Sequence, residues 1–337
     1  MKRMKGKFLV ATMIVISSLG LVAGEAAAQW KPNKTIQVVV PWGAGGASDT
    51  VARMIAGTME QTIGQRMVVV NTPGAAGVIG TKEVWEKPHD GYTLTANSTV
   101  SIGSYAVLGK MEQTYRDWQY WLPIFTPNVI CVNGDSPLKT VEDLVALMKS
   151  KPGAVIVSSA GIGSSGYFGA EIFKQVTGAT YKHVPYGGGA DAVMAVARNE
   201  AEVVMQLSVE VAELLRSGKL KALAVTSKAP LTIDGYGEIP SIEKWFPSFP
   251  DYGSYFGLIG PVDLPKDVIA TYDDSFVKAA ASQAVKDYAK TKGAMAVAIY
   301  GKEALDLAEN LAKREAWLLF DSGTATKSPE ALNIPKP

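Results

Sequence analysis

The stretch Pro41-Trp42-Gly43-Ala44-Gly45-Gly46-Ala47-Ser48-Asp49 follows an unbroken β-type run, Thr35 to Val40, and leads into an apolar-periodic segment that starts near Thr50. Its closely spaced glycines let the backbone turn sharply and aim successive N–H groups into one place. Those donors merge with the unpaired N–H groups and positive dipole end of the helix behind them. Strand, small-residue loop and helix start together form an anion-binding element. The loop reads as the holder of a carboxylate, with Trp42, Gly43, Ala44, Gly45, Gly46 and Ser48 as contacts. Asp49 reads as a helix cap or loop brace, because its own charge would repel an anion. Arg53, one turn on, reads as the partner of a surface carboxylate.

Ahead of this stretch, Lys2, Arg3, Lys5 and Lys7 form a basic region, Phe8 to Gly24 is apolar and uncharged, and Ala26-Ala27-Ala28 precedes Gln29. Residues 1–28 therefore read as a secretory signal peptide that sends the rest of the chain to the periplasm. The apolar run falls short of the ~20 residues that span a membrane. What remains suits two lobes of roughly 150 residues each. One cysteine, Cys131, rules out an internal disulfide framework, and its apolar neighbours predict a buried thiol. The chain is 47% hydrophobic with net charge +1, and losing residues 1–28 makes it slightly acidic. Nucleic acid, which wants a basic face, is not an expected partner, and a monomer is expected.

Behind the stretch the grammar repeats. Arg66–Asn71 reads as a second strand, opening onto Thr72-Pro73-Gly74-Ala75-Ala76-Gly77 and a helix to about Lys87. Tyr92–Ala96 reads as a third strand, running into the loop Asn97-Ser98-Thr99. Ala76, Ser98 and Thr99 are ligand candidates, with plain turn and cap roles as the alternatives. Alternating strands and helices predict parallel pairing, with these loops on one sheet edge. Residues 101–118 carry no clear signal. Trp118–Phe125, broken by Pro123, and Asn128–Val132 read as two strands, with Pro127 as the crossing into a second lobe. A helix over Leu138–Ser150 follows, capped by Asp135 or Thr140.

In the second lobe, Ala154–Ser158 leads to Ser159-Ala160-Gly161-Ile162-Gly163-Ser164-Ser165-Gly166, and Tyr181–Val184 leads to Pro185-Tyr186-Gly187-Gly188-Gly189-Ala190-Asp191. Each loop opens a helix. The candidates are Gly163, Ser164, Ser165, Gly188, Gly189 and Ala190, with Gln206 at a later strand end and Tyr186 as a cleft wall paired with Trp42. Residues 229–253 read as an edge excursion with one short helix near Ser241–Trp245. Ser254–Ile259 reads as a strand, and everything after it as helix packed on the first lobe. The lobes are therefore expected at 29–127 plus 257–337 and at 128–256, with two hinge crossings that allow closure over a ligand.

Val40-Pro41-Trp42-Gly43-Ala44-Gly45-Gly46 with Asp49 and Ala52-Arg53, Val70 to Gly77, Pro88-His89-Asp90-Gly91-Tyr92-Thr93-Leu94, Gly161 to Gly166 and His183 to Gly189 occur in order across nearly all of the chain after residue 28. In this the sequence resembles the tripartite tricarboxylate transporter receptors, the Bug-type extracytoplasmic solute-binding proteins. The resemblance implies a two-lobed periplasmic binding protein of the type II flytrap fold. It implies capture of a small organic carboxylate, a di- or tricarboxylate or aromatic acid, through backbone N–H groups, hydroxyls and bridging waters. It also implies delivery to integral-membrane permease subunits, without a cofactor. The chain departs from the family's pattern at Trp42, where phenylalanine is more usual, at Tyr167 in place of a histidine, and at Gly187, where a lysine is missing.

Other functions find less support. Only His89 and His183 are histidines, neither beside a Gly-x-Ser-x-Gly elbow, and no cluster has metal-ligand spacing. The glycine loop matches neither the dinucleotide fingerprint nor the P-loop. An exported hydrolase would need Ser165 or His183 in turnover. A periplasmic sensor signalling to a membrane kinase would share every feature above.

Overall fold

The computed structural model describes residues 30–337; the signal-peptide reading of residues 1–28 lies outside them. Strand β1 (Ile36–Val40) pairs in parallel with β2 (Met67–Asn71) on one side and β3 (Thr93–Ser98) on the other. It is buried almost throughout, which is why its sequence is a nearly continuous apolar run. Helix α1 (Ala47–Ile63) covers this sheet with Val51, Ile55 and Met59 and stops at Gly64, whose φ of 76° allows the terminal turn. Helix α2 (Val78–Trp85) links β2 to β3, and α3 (Thr99–Tyr105) follows β3 directly, capped by Ser98. The silent region after residue 100 thus begins as helix.

The two strands expected on either side of Pro127 are one. Strand β4 runs unbroken from Trp118 to Asn133. Pro123 fits because the ladders on both its flanks slip there: β11 (Gly253–Pro261) shifts register between Phe256 and Leu258, and β12 (Met295–Tyr300) between Ala296 and Ile299. A residue without an N–H belongs at such an irregularity. Pro127 is the last residue of β4 to pair with β11, and Asn128 is the first to pair with β7 (Val203–Leu207). The change of partner falls at the proline, within a continuous strand.

After α4 (Val141–Ser150), whose cap is Thr140, the second lobe contains β5 (Ile156–Ser159), α5 (Ser165–Thr177), β6 (Lys182–Pro185) and α6 (Gly189–Ala197). Beyond β7 come α7 (Ser208–Arg216) and β8 (Leu220–Val225). Strands β6, β5 and β7 are parallel, while β7 and β8 run antiparallel to β4. Thr226 ties β4 to the segment that enters β11. Its N–H donates to Asn128 O at 2.9 Å, its hydroxyl lies 2.8 Å from Tyr252 O, and its carbonyl accepts from Tyr252 N at 3.1 Å.

One expectation is extended and another fails. The edge excursion contains a hairpin, β9 (Leu231–Ile233) with β10 (Gly237–Ile239), and its short helix is a single turn at Ile242–Lys244. The C-terminal region is not all helix. Between α9 (Gln283–Lys292) and α10 (Gly301–Asp321), β12 joins the sheet against β4. Its Met-Ala-Val-Ala-Ile-Tyr run carries three β-formers, and pairing with β4 makes it a strand. The helices do cover the first lobe: α8 (Lys266–Ala280) lies on α1, and α10 on α3. Ala304, Ala308, Ala312 and Ala316 are fully buried along one face of α10, which brings it close enough for Ala312 to meet Gly103.

Candidate functional site

The opening loop is braced by Asp49. One carboxylate oxygen accepts the Gly45 N–H at 2.9 Å, and the other accepts Asn71 Nδ2 at 3.0 Å and the Arg53 guanidinium at 2.8 Å. Burial pushes the Asp49 carboxyl up, but Arg53, the Gly45 N–H and Asn71 together hold it below the usual carboxylate range. The brace role is therefore correct, and the cap role falls to Gly46. Arg53 pairs with this buried carboxylate, not with a surface one. Gly45 is needed for its φ of 82°, but its N–H is spent inside the loop.

Trp42 is set by a buried polar chain. Its Nε1 donates to Asn97 Oδ1 at 2.9 Å, Asn97 Nδ2 donates to Thr81 Oγ1 and to the Tyr105 hydroxyl at 3.1 Å each, and that hydroxyl donates to Ala76 O. Burial raises the Tyr105 hydroxyl to about 12, so it stays a donor.

Between the lobes lies a cleft lined by Trp42, Gly46, Ser48 and Ser98 of the first lobe and Ser164, Ser165, Gly189 and Gln206 of the second, all eight expected from sequence. The lobes leave about 30 Å³ between them, room for roughly two waters. A larger solute enters only if they open. The remaining candidates stand elsewhere. Ala44 and Gly45 are exposed, and Gly43 comes close to Gly188 where the two glycine loops meet. Ala76 faces Gly161, and Gly163 is held through its carbonyl by Ser104 of α3. Thr99 is buried, with its hydroxyl unpartnered. Tyr186 packs on the second lobe's apolar cluster, so it does not join Trp42 as a wall, and Ala190 sits one residue into α6, outside the lining.

Sequence reasoning missed Ala47, Ser101, Ala160, Leu207, Phe256 and, above all, Glu210. Glu210 lies in the first turn of α7, and its Oε1 accepts the Ala47 N–H at 2.9 Å across the cleft. An acid in a first turn reads as ordinary dipole compensation, so no local signal marks it. Its Oε2 is buried without a partner, as is Gln206 Oε1. A Cβ at Gly189 would overlap the Glu210 carboxylate, and one at Gly166 would overlap Gln206 Oε1. Burial pushes the Glu210 carboxyl up to about 7, against the pull of the Ala47 N–H, the Gln206 side chain and the Leu207 N–H. No lysine, arginine or histidine lines the cleft.

The hydrolase alternative gains no geometry here. His183 Nε2 lies 2.7 Å from Ser159 Oγ, but Ser159 is fully buried and outside the cleft lining, and its oxygen accepts the Gly161 N–H. Ser165 pairs with Ser254 instead. Among the described residues, no group of three or more His, Cys, Asp or Glu is arranged to hold a metal, and no helix is long and apolar enough to cross a membrane.

Two α/β lobes joined at a hinge, with helix starts converging on the cleft between them, define a solute-binding protein of the flytrap class. The chain belongs to the tripartite tricarboxylate transporter family receptors, whose family model matches residues 51–323. It is 29% identical over 296 residues to BugT of Bordetella pertussis (strain Tohama I), covering 86% of this chain and 90% of that protein. Its fold matches the periplasmic binding protein BugD with a TM-score of 0.80 at 24% identity, over 87% of this chain and 99% of BugD. It also matches MatC of Rhodopseudomonas palustris, a structure with bound malate, with a TM-score of 0.78 at 23% identity, over 86% of this chain and 99% of MatC.

Proposed function

We propose that this protein captures a small organic carboxylate between its lobes in the periplasm and hands it to a tripartite tricarboxylate-type membrane permease. The observation that carries this reading is the cleft's donor set. The starts of α1 and α5 meet there with the hydroxyls of Ser48, Ser98, Ser101, Ser164 and Ser165, against apolar walls from Trp42, Leu207 and Phe256. Helix starts and hydroxyls bind a carboxylate without a cationic side chain. MatC, with its bound malate, lends the ligand class. The proposed lobes are residues 30–127 with 257–337, and 128–256, the hinge lying where β4 changes partners.

A thermal-shift screen of di- and tricarboxylates, aromatic acids, amino acids and sugars tests the reading. A true ligand at 100 times its Kd adds about 2.7 kcal/mol of stability. Stabilisation by neutral sugars and by none of the acids would refute it. Delivery is tested by transport in cells carrying the permease, with and without this receptor.

A further inference from the structure

We propose that Glu210 sets the ligand class: the cleft takes a carboxylate whose far end carries a hydrogen-bond donor, an amide, ammonium or hydroxyl, and discriminates against a second ionised carboxylate there. The inference rests on the carboxylate reading above and sharpens it.

The groups lining the cleft divide into two kinds. Donors are the helix starts of α1 and α5 and the hydroxyls of Ser48 and Ser164, those of Ser98, Ser101 and Ser165 being bonded to Ser101, Gly163 and Ser254. Acceptors are Glu210 and Gln206, whose Oε2 and Oε1 atoms are buried with no partner, Gln206 itself being only 2% exposed. A buried acceptor without a donor is costly, and a ligand that brings one removes the penalty. Two glycines make room for these acceptors: Gly189 beside Glu210 and Gly166 beside Gln206. The Glu210 carboxylate already holds the Ala47 N–H, so part of the α1 start is occupied by a negative charge of the protein's own. A dianion would place its second charge against that one in a space from which water is largely excluded.

No cationic side chain neutralises Glu210, whose polar neighbours are the Ala47 and Leu207 N–H groups and the Gln206 side chain. On α1, Asp49 is committed to Arg53, Asn71 and Gly45. On α9, the Tyr288 hydroxyl meets Thr50 Oγ1 at 2.8 Å, and Lys292 is bound to Glu213 along with Arg216 of α7. On α6, Asp191 is exposed beside Gly187. The Lys221 ammonium of β8 donates to Ser136 O, β4 offers the buried Cys131 thiol, and β7 offers the Gln206 side chain and the Leu207 N–H. The carboxyl's position near 7 agrees with this isolation. A plain diacid should therefore bind better with Glu210 protonated.

Calorimetric titrations can pair malonate, succinate, glutarate, adipate and phthalate each with its own mono-amide, so that shape is matched and only the second charge changes. In the wild-type protein at pH 8, the mono-amide of a fitting pair should bind at least tenfold more tightly than the diacid. In Glu210→Gln that ratio should fall below threefold. A second arm needs no variant. Between pH 7 and 8.5 all of these diacids stay almost fully ionised, and their affinity for the wild type should fall by up to about tenfold per pH unit. Diacids that bind as tightly as their amides with no pH dependence, or a ratio that Glu210→Gln leaves unchanged, overturn the proposal while sparing the carboxylate reading. If no member of either series binds, the carboxylate reading fails and takes this inference with it.

Discussion

Replacing Glu315 with glutamine should remove much of the protein's loss of stability between mildly acidic and mildly basic pH. Glu315 lies on α10 facing Gly103 of α3, 1% exposed, with neither carboxylate oxygen partnered. Burial pushes its carboxyl from 4.5 to about 8, with the Arg314 charge pulling the other way. The folded state therefore keeps a proton that the unfolded chain releases above 4.5. The associated stability is whole below 4.5 and is lost as pH rises through 8. At about 1.36 kcal/mol per pH unit, the window is worth on the order of 5 kcal/mol, or roughly 10 °C in melting temperature. Glutamine keeps the volume and carries no charge at any pH. Melting temperatures of wild type and Glu315→Gln at pH 5, 6, 7 and 8 should therefore diverge, the variant gaining steadily toward pH 8. Glu210→Gln serves as a control, because Glu210 also titrates high. If the wild type and Glu315→Gln curves stay parallel, Glu315 holds no extra proton in the folded protein and the burial argument is wrong.

Thr226→Val should destabilise by ~1–3 kcal/mol, because the Asn128 N–H that donates to its hydroxyl is left buried and unpaired; an unchanged denaturation midpoint would remove Thr226 from the hinge. Asp49→Asn should destabilise by ~1–2 kcal/mol at pH 7, and since the Asp49 carboxyl is held low, the difference from wild type should shrink as pH falls toward 3. A difference that persists unchanged in acid would show that the carboxylate's charge contributes nothing. Burial pushes the Cys131 thiol up, so a thiol reagent at pH 8 should label it only in denaturant; rapid labelling of the native protein would contradict its placement.

Local pattern decided much of this protein. Glycine-rich loops between β-type runs and helical runs marked the strand-to-helix turns, and eight of the predicted residues meet in one cleft. Such turns are legible because backbone geometry restricts them to small residues and caps. Elements whose extent a neighbouring strand decides were not legible. β12 exists because β4 presents an edge to it, and β4 runs through two prolines because its neighbours slip register at one and part from it at the other. The site divides the same way. The Pro41–Asp49 loop announced an anion-binding helix start, but only the tertiary structure decided which groups fill it. Asp49 takes the Gly45 N–H within the loop, and Glu210, 163 residues from Ala47 in sequence, reaches that residue's N–H from the other lobe. Proximity across a closed hinge leaves no trace in local spacing, so the charge inside the cleft, and the ligand end it faces, belong to the fold.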